Sequence, residues 1–236
     1  MDILEAVSTR KSIRGFKPDP VPRDTLRQIL AVACRAPSGS NIQPWEFAVV
    51  AGETLDRIKR DNATLCRSGA DPRPERRSAE KLPGTLFKAR QIELGSRLYA
   101  LMGITRQDEE KRLRWREKGA RFFDAPSVIL ISTDRSLAQT GALTDIGMVA
   151  QTICLVAMHF GLGTCIVGQG LAYPEIIRKH LAVPASKKLM IAIAVGYPDW
   201  GFPANRLETP RAPIDEITTW WGFDEGPNPV LDDTPV

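Results

Sequence analysis

The chain has 236 residues, of which 43% are hydrophobic and 25% are charged, and its formal net charge is +4. This is the composition of a globular protein, and the length is sufficient to bury a core without covalent cross-links. The four cysteines lie far apart and form no CxxC pair, which excludes a disulfide framework and predicts reduced thiols.

The N-terminal sequence argues against export. Asp2 and Glu5 stand where a secretory signal peptide is basic, and no apolar segment follows them. Apolar stretches such as Leu189–Val195 are far shorter than the ~20 residues of a membrane helix. We therefore expect a cytoplasmic protein with no membrane partner.

Hydrophobic spacing and turn residues predict helices around one sheet. Helices are expected over about 2–9, from after Pro22 to near Ala36, and over about 54–66, 94–102, 108–123, 143–160 and 174–180. Strands are expected over about 45–51, 126–132, 164–167 and 188–195. This order is typical of an α+β fold. The proline-rich sequence after Gly196, with adjacent Trp220 and Trp221, predicts an extended arm rather than a second domain.

Residues 57–121 carry most of the positive charge, with 18 Lys and Arg against 9 Asp and Glu. A basic block of this kind can bind nucleic acid. Here, however, both signs are mixed with Leu and Met at helical spacing, and aromatic residues suited to base stacking are not interleaved. The pattern favours solvated helical faces, or attraction of an anionic substrate or nicotinamide phosphates, over a nucleic-acid partner.

Several chemistries have little support in the sequence. The two histidines, His159 and His180, stand in no metal or nucleophile motif, so no metal site is expected. The glycine cluster Gly161–Ile166 lacks the third glycine of GxGxxG and follows a helix instead of a strand. With few side-chain catalysts available, a bound cofactor is the expected carrier of the reaction.

Three segments point to such a cofactor. Thr9–Phe16 (TRKSIRGF) offers two arginines, a lysine and a serine to a phosphate. Ala36–Phe47 (APSGSNIQPWEF) is a polar loop between a helix and a strand that can approach a flat polar ring closely. Gly161–Gln169 (GLGTCIVGQ) is followed by Val195–Pro198 (VGYP) and Arg211–Pro213 (RAP).

Taken together, these motifs resemble the nitroreductase family over nearly the whole chain. The resemblance implies one domain over residues 1–236 with a three-layer α+β fold, in which a central mixed sheet is flanked by helices. It also implies an inserted helical lid at about 67–121 and a C-terminal arm at about 201–236. The expected protein is a homodimer with FMN at the subunit interface and NAD(P)H as co-substrate.

The resemblance also assigns cofactor-binding residues. The segment that holds the FMN phosphate and ribityl chain corresponds to Arg10, Lys11, Ser12 and Arg14. The loop that contacts flavin from the partner subunit corresponds to Pro37, Ser38, Gly39, Ser40 and Asn41, with Gln43 in the same loop. The strand end beside flavin N5 corresponds to Ile166, Val167 and Gly168. Arg211 matches a late arginine that reaches the same phosphate, with Arg206 as the weaker candidate.

Two regions depart from the family pattern. Some members have Pro-x-Glu-Gly at the strand end, where this chain has Ile166-Val167-Gly168-Gln169. The stretch 67–121 matches no family pattern, and it lies where members place substrate lids. The substrate is therefore the least determined property.

The expected activity is reduction of an electron-poor aromatic acceptor, a nitroaromatic or a quinone, by NAD(P)H through flavin N5. No side chain is assigned as a general acid or base. One alternative is reductive dehalogenation of halogenated phenols, with Tyr99, Glu93 and Lys111 as a poorly spaced set for gripping a zwitterion. The scaffold also resembles the flavin-cleaving synthases of benzimidazole, and a flavin-holding redox sensor is a non-enzymatic alternative.

Overall fold

The computed structural model describes residues 2–76, 84–138 and 141–223. Its α-helices are α1 (Ile3–Thr9), α2 (Arg23–Ala33), α3 (Gly52–Arg67), α4 (Gly84–Leu101), α5 (Glu109–Ala120), α6 (Gly141–His159) and α7 (Pro174–Leu181). Its strands are β1 (Glu46–Ala51), β2 (Ser127–Asp134), β3 (Gly163–Ile166) and β4 (Lys187–Gly196). The α+β class expected from the sequence is confirmed.

The four strands form one sheet in the order β1-β2-β4-β3, and each neighbouring pair is antiparallel. The parallel component of the expected mixed sheet is a single bridge within the described residues, between Ser12 and Thr164 at the outer edge of β3. Phe16 forms a second, antiparallel bridge with Pro198. The segment after α1 thus runs along the sheet edge.

Helices cover both faces of the sheet, which gives three layers. Because side chains alternate along a strand, Val128 and Leu130 of β2 point into one core, whereas Ile129 and Ile131 point into the other. The first core is completed by α3, α5 and α7, and the second by α2 and α6.

Helix α6 is the central helix of the second core. Within the described residues it is the one helix long and apolar enough to cross a membrane. Its residues Val149, Ala150, Ile153 and Ala157 are fully buried against the sheet and α2. Such burial is typical of the core helix of a soluble protein.

The expected helix over 108–123 ends early. Helix α5 stops at Ala120 because Phe122, Phe123 and Asp124 adopt left-handed backbone angles, with φ of 54°, 55° and 60°. The two phenylalanines are buried in the first core, and their packing compensates for this conformation. Helix α2 likewise ends at Ala33, three residues before the expected stop.

The segment after α3 is fastened to the sheet by Glu75. Its carboxylate accepts hydrogen bonds from the Arg178 guanidinium at 2.8 and 2.9 Å, from Arg135, and from the backbone N–H of Leu189 at 2.7 Å. Burial raises the pKa of Glu75, but these bonds outweigh it and hold the pKa below its ordinary value of 4.5. Residues 68–76 therefore follow a fixed path.

We expect Glu75→Gln to lower the free energy of unfolding by about 1–3 kcal/mol at neutral pH, because it weakens a partly buried ionic cluster. A depressed native pKa stabilises the fold above pH 4.5, and this stabilisation disappears as the pH falls through the native value. Urea denaturation at neutral pH and at about pH 3 should therefore show the difference between variant and wild type shrinking in acid.

The matched control is Glu53→Gln, which removes an exposed glutamate paired with Arg57 one helical turn away. It should change stability little, because exposed pairs contribute little. A difference for Glu75→Gln that stays constant between the two pH values would contradict the account.

Candidate functional site

The N-terminal basic segment is fixed beside the end of β3. The backbone N–H of Ile13 donates to the Thr164 carbonyl at 2.9 Å. The Asn205 side chain accepts from the Arg14 backbone N–H at 2.7 Å and donates to the Gly15 carbonyl at 2.8 Å. Asn205 is 1% exposed, so these bonds are shielded from water. Arg14 is thereby placed next to the strand end that the sequence assigned to the cofactor.

A cavity of about 800 Å³ opens at this junction. Arg14 and the strand end Ile166–Gln169 form one side of it. Further lining residues come from α4, α5 and the segment before α4, and they include Gln91, Leu94, Leu98, Trp115, Arg116, Pro72, Pro74 and Arg76. The helices expected to form a lid therefore line the same cavity as the strand end.

Arg10 and Lys11 line a different, smaller cavity of about 260 Å³, together with Gly161–Thr164, Pro198 and Trp200. The expected basic cluster is thus divided between two cavities, with Arg14 in the larger one and Arg10 and Lys11 in the smaller one. Ser12 lies between Lys11 and Arg14 in the sequence and forms a parallel β-bridge with Thr164.

The loop Pro37–Gln43 is held in an unusual conformation. Ser40, Asn41 and Gln43 have φ of 50°, 57° and 47°, which costs roughly 1–2 kcal/mol for each residue. The Ser38 hydroxyl accepts from the Gln43 backbone N–H at 3.0 Å, and buried Asp145 of α6 accepts from the Gly39 N–H at 3.2 Å. Most of the loop is exposed, and it lines neither of the two cavities within one subunit.

Arg211 does not join the basic segment within one subunit. Its guanidinium donates to the Thr209 hydroxyl at 2.8 Å and to the Thr209 and Pro210 carbonyls at 3.0 Å. It lines a separate cavity with Arg90, Glu93 and Arg97 of α4. The weaker candidate, Arg206, is exposed on a short 3₁₀ turn.

The residues considered for a dehalogenase are engaged elsewhere. Glu93 lies 3.5 Å from the Arg97 guanidinium, and the Lys111 ammonium donates to the Gly103 carbonyl at 3.2 Å. Tyr99 lines a small cavity with Glu109, Arg112 and Arg116. The three side chains do not line a common cavity.

The titratable side chains of the site do not form a nucleophile or metal centre. Burial raises the pKa of Cys165 to about 11 despite the nearby Arg14, so this thiol stays protonated. His180 contacts Asp61 at 2.8 Å, and the His159 ring lies edge-on to Phe160. Across residues 2–76, 84–138 and 141–223, no group of three or more His, Cys, Asp or Glu could hold a metal ion.

Two residues that shape the site have no motif in the sequence. Asn205 lies in the arm region and Asp145 in the apolar helix α6, and each reaches a segment more than 100 residues away. Their roles depend on tertiary contacts. The signal available in the sequence was limited to an acid within an otherwise apolar helix, which implies a specific partner.

The donor set suits a flat, partly polar ring with an anionic tail. Apolar side chains and the backbone of the β3 end offer a surface for a ring, and Arg10, Lys11 and Arg14 offer charge-assisted donors to a phosphate. A flavin mononucleotide has both parts, so the residues present fit this cofactor.

Comparisons with known proteins give a consistent result. The sequence profile of the nitroreductase family matches residues 7–197. The chain is 32% identical over 217 residues to nitroreductase NfnB of Mycolicibacterium smegmatis, covering 90% of this chain and 89% of that protein. It is also 32% identical over 230 residues to a 4-nitrobenzoate reductase of Nocardioides sp., covering 93% of this chain and 90% of that protein.

Solved structures with similar folds belong to the same group. The crystal structure of an FMN and NADPH-dependent nitroreductase NfnB from Sphigopyxis sp. strain HMH superimposes with a TM-score of 0.89 at 30% identity, covering 94% of this chain and 100% of that chain. The FMN-dependent NfnB from Mycobacterium smegmatis, in complex with NADPH, gives a TM-score of 0.87 at 30% identity, covering 92% of this chain and 97% of that chain.

Proposed function

The chain belongs to the nitroreductase family, and we propose that it is an FMN-dependent oxidoreductase that uses NAD(P)H to reduce nitroaromatic compounds. The observation that carries this proposal is the cavity enclosed by Arg14, the β3 end and the lid helices. It combines an apolar ring site with cationic donors, and burial raises the pKa of both cysteines that line it, Cys66 and Cys165.

Bound FMN would supply the hydride acceptor and donor between the nicotinamide and the aromatic acceptor. The protein's own residues bind and orient the cofactor and shield it from water. Arg10, Lys11, Ser12 and Arg14 hold the phosphate and ribityl chain, and Ile166, Val167 and Gly168 support the ring. Quinones are a second acceptor class, because they too accept hydride equivalents from a reduced flavin.

Trp115, Leu94 and Leu98 line the cavity with apolar surface and would exclude water from a bound ligand. Exclusion of water strengthens the electrostatic interactions inside a site and protects a reduced cofactor from side reactions. We assign residues 67–121 as the lid within one domain over 1–236. No side chain is assigned as a general acid or base.

We further propose a homodimer that completes the site. Within one subunit, the Pro37–Gln43 loop and Arg211 lie outside the cavities that contain Arg10 and Arg14. A second copy would bring Pro37, Ser38, Gly39, Ser40, Asn41 and Gln43 to the neighbour's flavin, as the family resemblance implies. We also propose a cytoplasmic location, which the four free cysteines support.

A flavin-holding redox sensor is the non-enzymatic alternative. It would bind FMN through the same residues but would not catalyse repeated oxidation of NAD(P)H. Sustained oxidation of NAD(P)H in the presence of a nitroaromatic favours the enzyme, because a sensor undergoes a single reduction.

We expect Arg10→Ala and Arg211→Ala each to weaken FMN binding roughly ten- to a hundredfold, because a hydrogen bond between charged groups contributes about 1.5–3 kcal/mol. Fluorescence quenching of FMN by the flavin-free protein measures the affinity. Arg206→Ala, which removes an exposed arginine nearby in the sequence, is the control and should bind like wild type. Unchanged affinity in both test variants would refute the phosphate assignment.

The arm provides a test of the dimer. Ile214, Ile217, Trp220, Trp221 and Phe223 are exposed in one subunit, with Trp221 at 74%, which suits an interface better than solvent. We expect a chain ending at Ala212 to lose the dimer and bind FMN poorly. A chain ending at Phe223 is the control and should keep both properties. Light scattering measures the mass of each chain in solution, and the absorbance of released flavin measures how much FMN it retains. A monomer that retains a full complement of FMN would contradict the dimer.

A further inference from the structure

The large cavity has an unbalanced charge. Among its described lining residues, Arg14, Arg76 and Arg116 are cationic, and none is Asp or Glu. Arg14 lies beside the β3 end and is assigned to the cofactor. Arg76 and Arg116 come from the segment before α4 and from α5, both within the region assigned to the lid. The part of the cavity lined by the lid region is therefore positively charged.

Arg116 differs from the other basic residues of α5. Arg114 donates to Glu110 at 2.8 Å, Lys118 donates to Asp124 at 2.7 Å, and Lys111 lies 3.4 Å from Asp108. Arg116 makes no hydrogen bond or ion pair to any residue of the described ranges, although it borders two cavities. Among the described residues, therefore, no side chain or backbone group occupies its guanidinium, which can bind a ligand.

The surroundings of Arg116 select the kind of anion. The same cavity contains Leu94, Leu98, Trp115 and Phe123, which suit an aromatic ring. A guanidinium binds a carboxylate through two parallel hydrogen bonds and remains charged at all physiological pH values. A ring on the apolar surface with a carboxylate toward Arg116 satisfies both features.

We propose that Arg116 binds the carboxylate of the acceptor, so that the enzyme prefers nitroaromatic acids to neutral nitroaromatics. This inference rests on the proposed function and adds the substrate class and the residue that selects it. Arg76 adds positive potential on the same side of the cavity. The other anion that could reach Arg116 is a phosphate of the nicotinamide, and the two sources act in different half-reactions.

The test compares 4-nitrobenzoate with its neutral analogue 4-nitrobenzamide. Rapid mixing of the pre-reduced holoenzyme with each acceptor isolates the second half-reaction, and mixing the oxidised holoenzyme with NADPH or NADH isolates the first. In Arg116→Gln, the apparent affinity for 4-nitrobenzoate should fall roughly ten- to a hundredfold, because an ionic hydrogen-bonded pair is lost. The values for 4-nitrobenzamide and for both nicotinamides should stay within about twofold.

Two further variants sharpen the test. Arg116→Lys keeps the charge without the bidentate geometry and should recover part of the affinity. Arg114→Gln removes a paired arginine of the same helix that does not line the cavity, and it should behave like wild type. The preference of the wild type for the acid should also shrink at high salt.

Equal losses for both acceptors, or a loss confined to NADPH, would overturn the proposal. Its failure is distinct from that of the proposed function. If the wild type reduces nitroaromatics without preferring the acid, only the proposed carboxylate site is refuted. If it reduces no nitroaromatic, the proposed function is refuted as well.

A second inference concerns Asp145, and a different observation carries it. Asp145 is 4% exposed, and its Oδ1 accepts from the Gly39 N–H at 3.2 Å. Its Oδ2 is buried and has no hydrogen-bond partner in the described part of the chain. A buried carboxylate oxygen without a donor is unfavourable, so such a group is retained where it performs a specific task.

The task is visible in the loop that Asp145 touches. Ser40, Asn41 and Gln43 adopt left-handed angles that an exposed loop would relax unless it were held. We infer that Asp145 is a positioning residue, which fixes the Pro37–Gln43 loop in the shape that contacts flavin. This inference rests on FMN binding as proposed above.

FMN titration of the flavin-free full chain tests this role, together with thermal denaturation of the same samples. Asp145→Ala should weaken FMN binding at least about tenfold, because the buried hydrogen bond from the Gly39 N–H to the Asp145 carboxylate is lost. Asp145→Asn keeps an oxygen for Gly39 and should bind FMN with intermediate affinity. Asp134→Ala, which removes an acid that accepts from a backbone N–H at 3.0 Å on another loop, is the control.

A merely structural role would lower the melting temperature of Asp145→Asn without changing its FMN affinity. That result would overturn the inference, as would wild-type affinity in Asp145→Ala. If Asp145→Ala does not fold, the Asp145→Asn variant decides by the same criterion. A wild type that binds no FMN would refute the proposed function first.

Discussion

The hydrogen bond between the Ile13 backbone and the Thr164 carbonyl is the contact on which the site depends. It joins the N-terminal segment to the edge of the sheet, and Asn205 locks the next two residues in place. Arg14 faces the large cavity, whereas Arg10 and Lys11 face the small one. One backbone pairing therefore places cationic donors around the end of β3.

The rest of the fold supports that edge. Helix α6 is packed against the sheet with side chains of nearly zero exposure, so β3 and β4 have little freedom to shift. On the other face, Phe122 and Phe123 end α5 and anchor it in the first core. The C-terminal end of α5 is thus fixed, and Glu75 fastens residues 68–76, which follow α3, to the sheet. A rigid base with a separate cover is the arrangement that a cofactor enzyme with exchanging ligands needs.

Much of the fold could be predicted from local sequence. The apolar spacing of α6 and the β-branched runs of β2 and β4 are long and regular, and these three elements were found where the patterns predicted them. The helix expected over about 94–102 instead begins at Gly84, ten residues earlier. The end of α5 could not be predicted, because the left-handed angles of Phe122, Phe123 and Asp124 are set by core packing. Pairing of Ser12 with Thr164 spans more than 150 residues, so local periodicity carries no information on it.

The site was predictable in its composition more than in its geometry. The basic segment, the polar loop and the β3 end were identified as three motifs, yet the division of the basic residues between two cavities depends on tertiary structure. Asp145 and Asn205 gave no motif, and Arg116 was one charge among the 18 basic residues of its region. Only the cavity shows that its guanidinium faces a ligand site while its neighbours are paired.

The visible spectrum of the purified protein, recorded before and after anaerobic addition of NADPH, tests the central claim most directly. The expected result is a yellow protein with flavin bands, close to one FMN released per chain on denaturation, and bleaching by NADPH that a nitroaromatic reverses. A colourless protein that neither retains added FMN nor consumes NADPH would contradict the account.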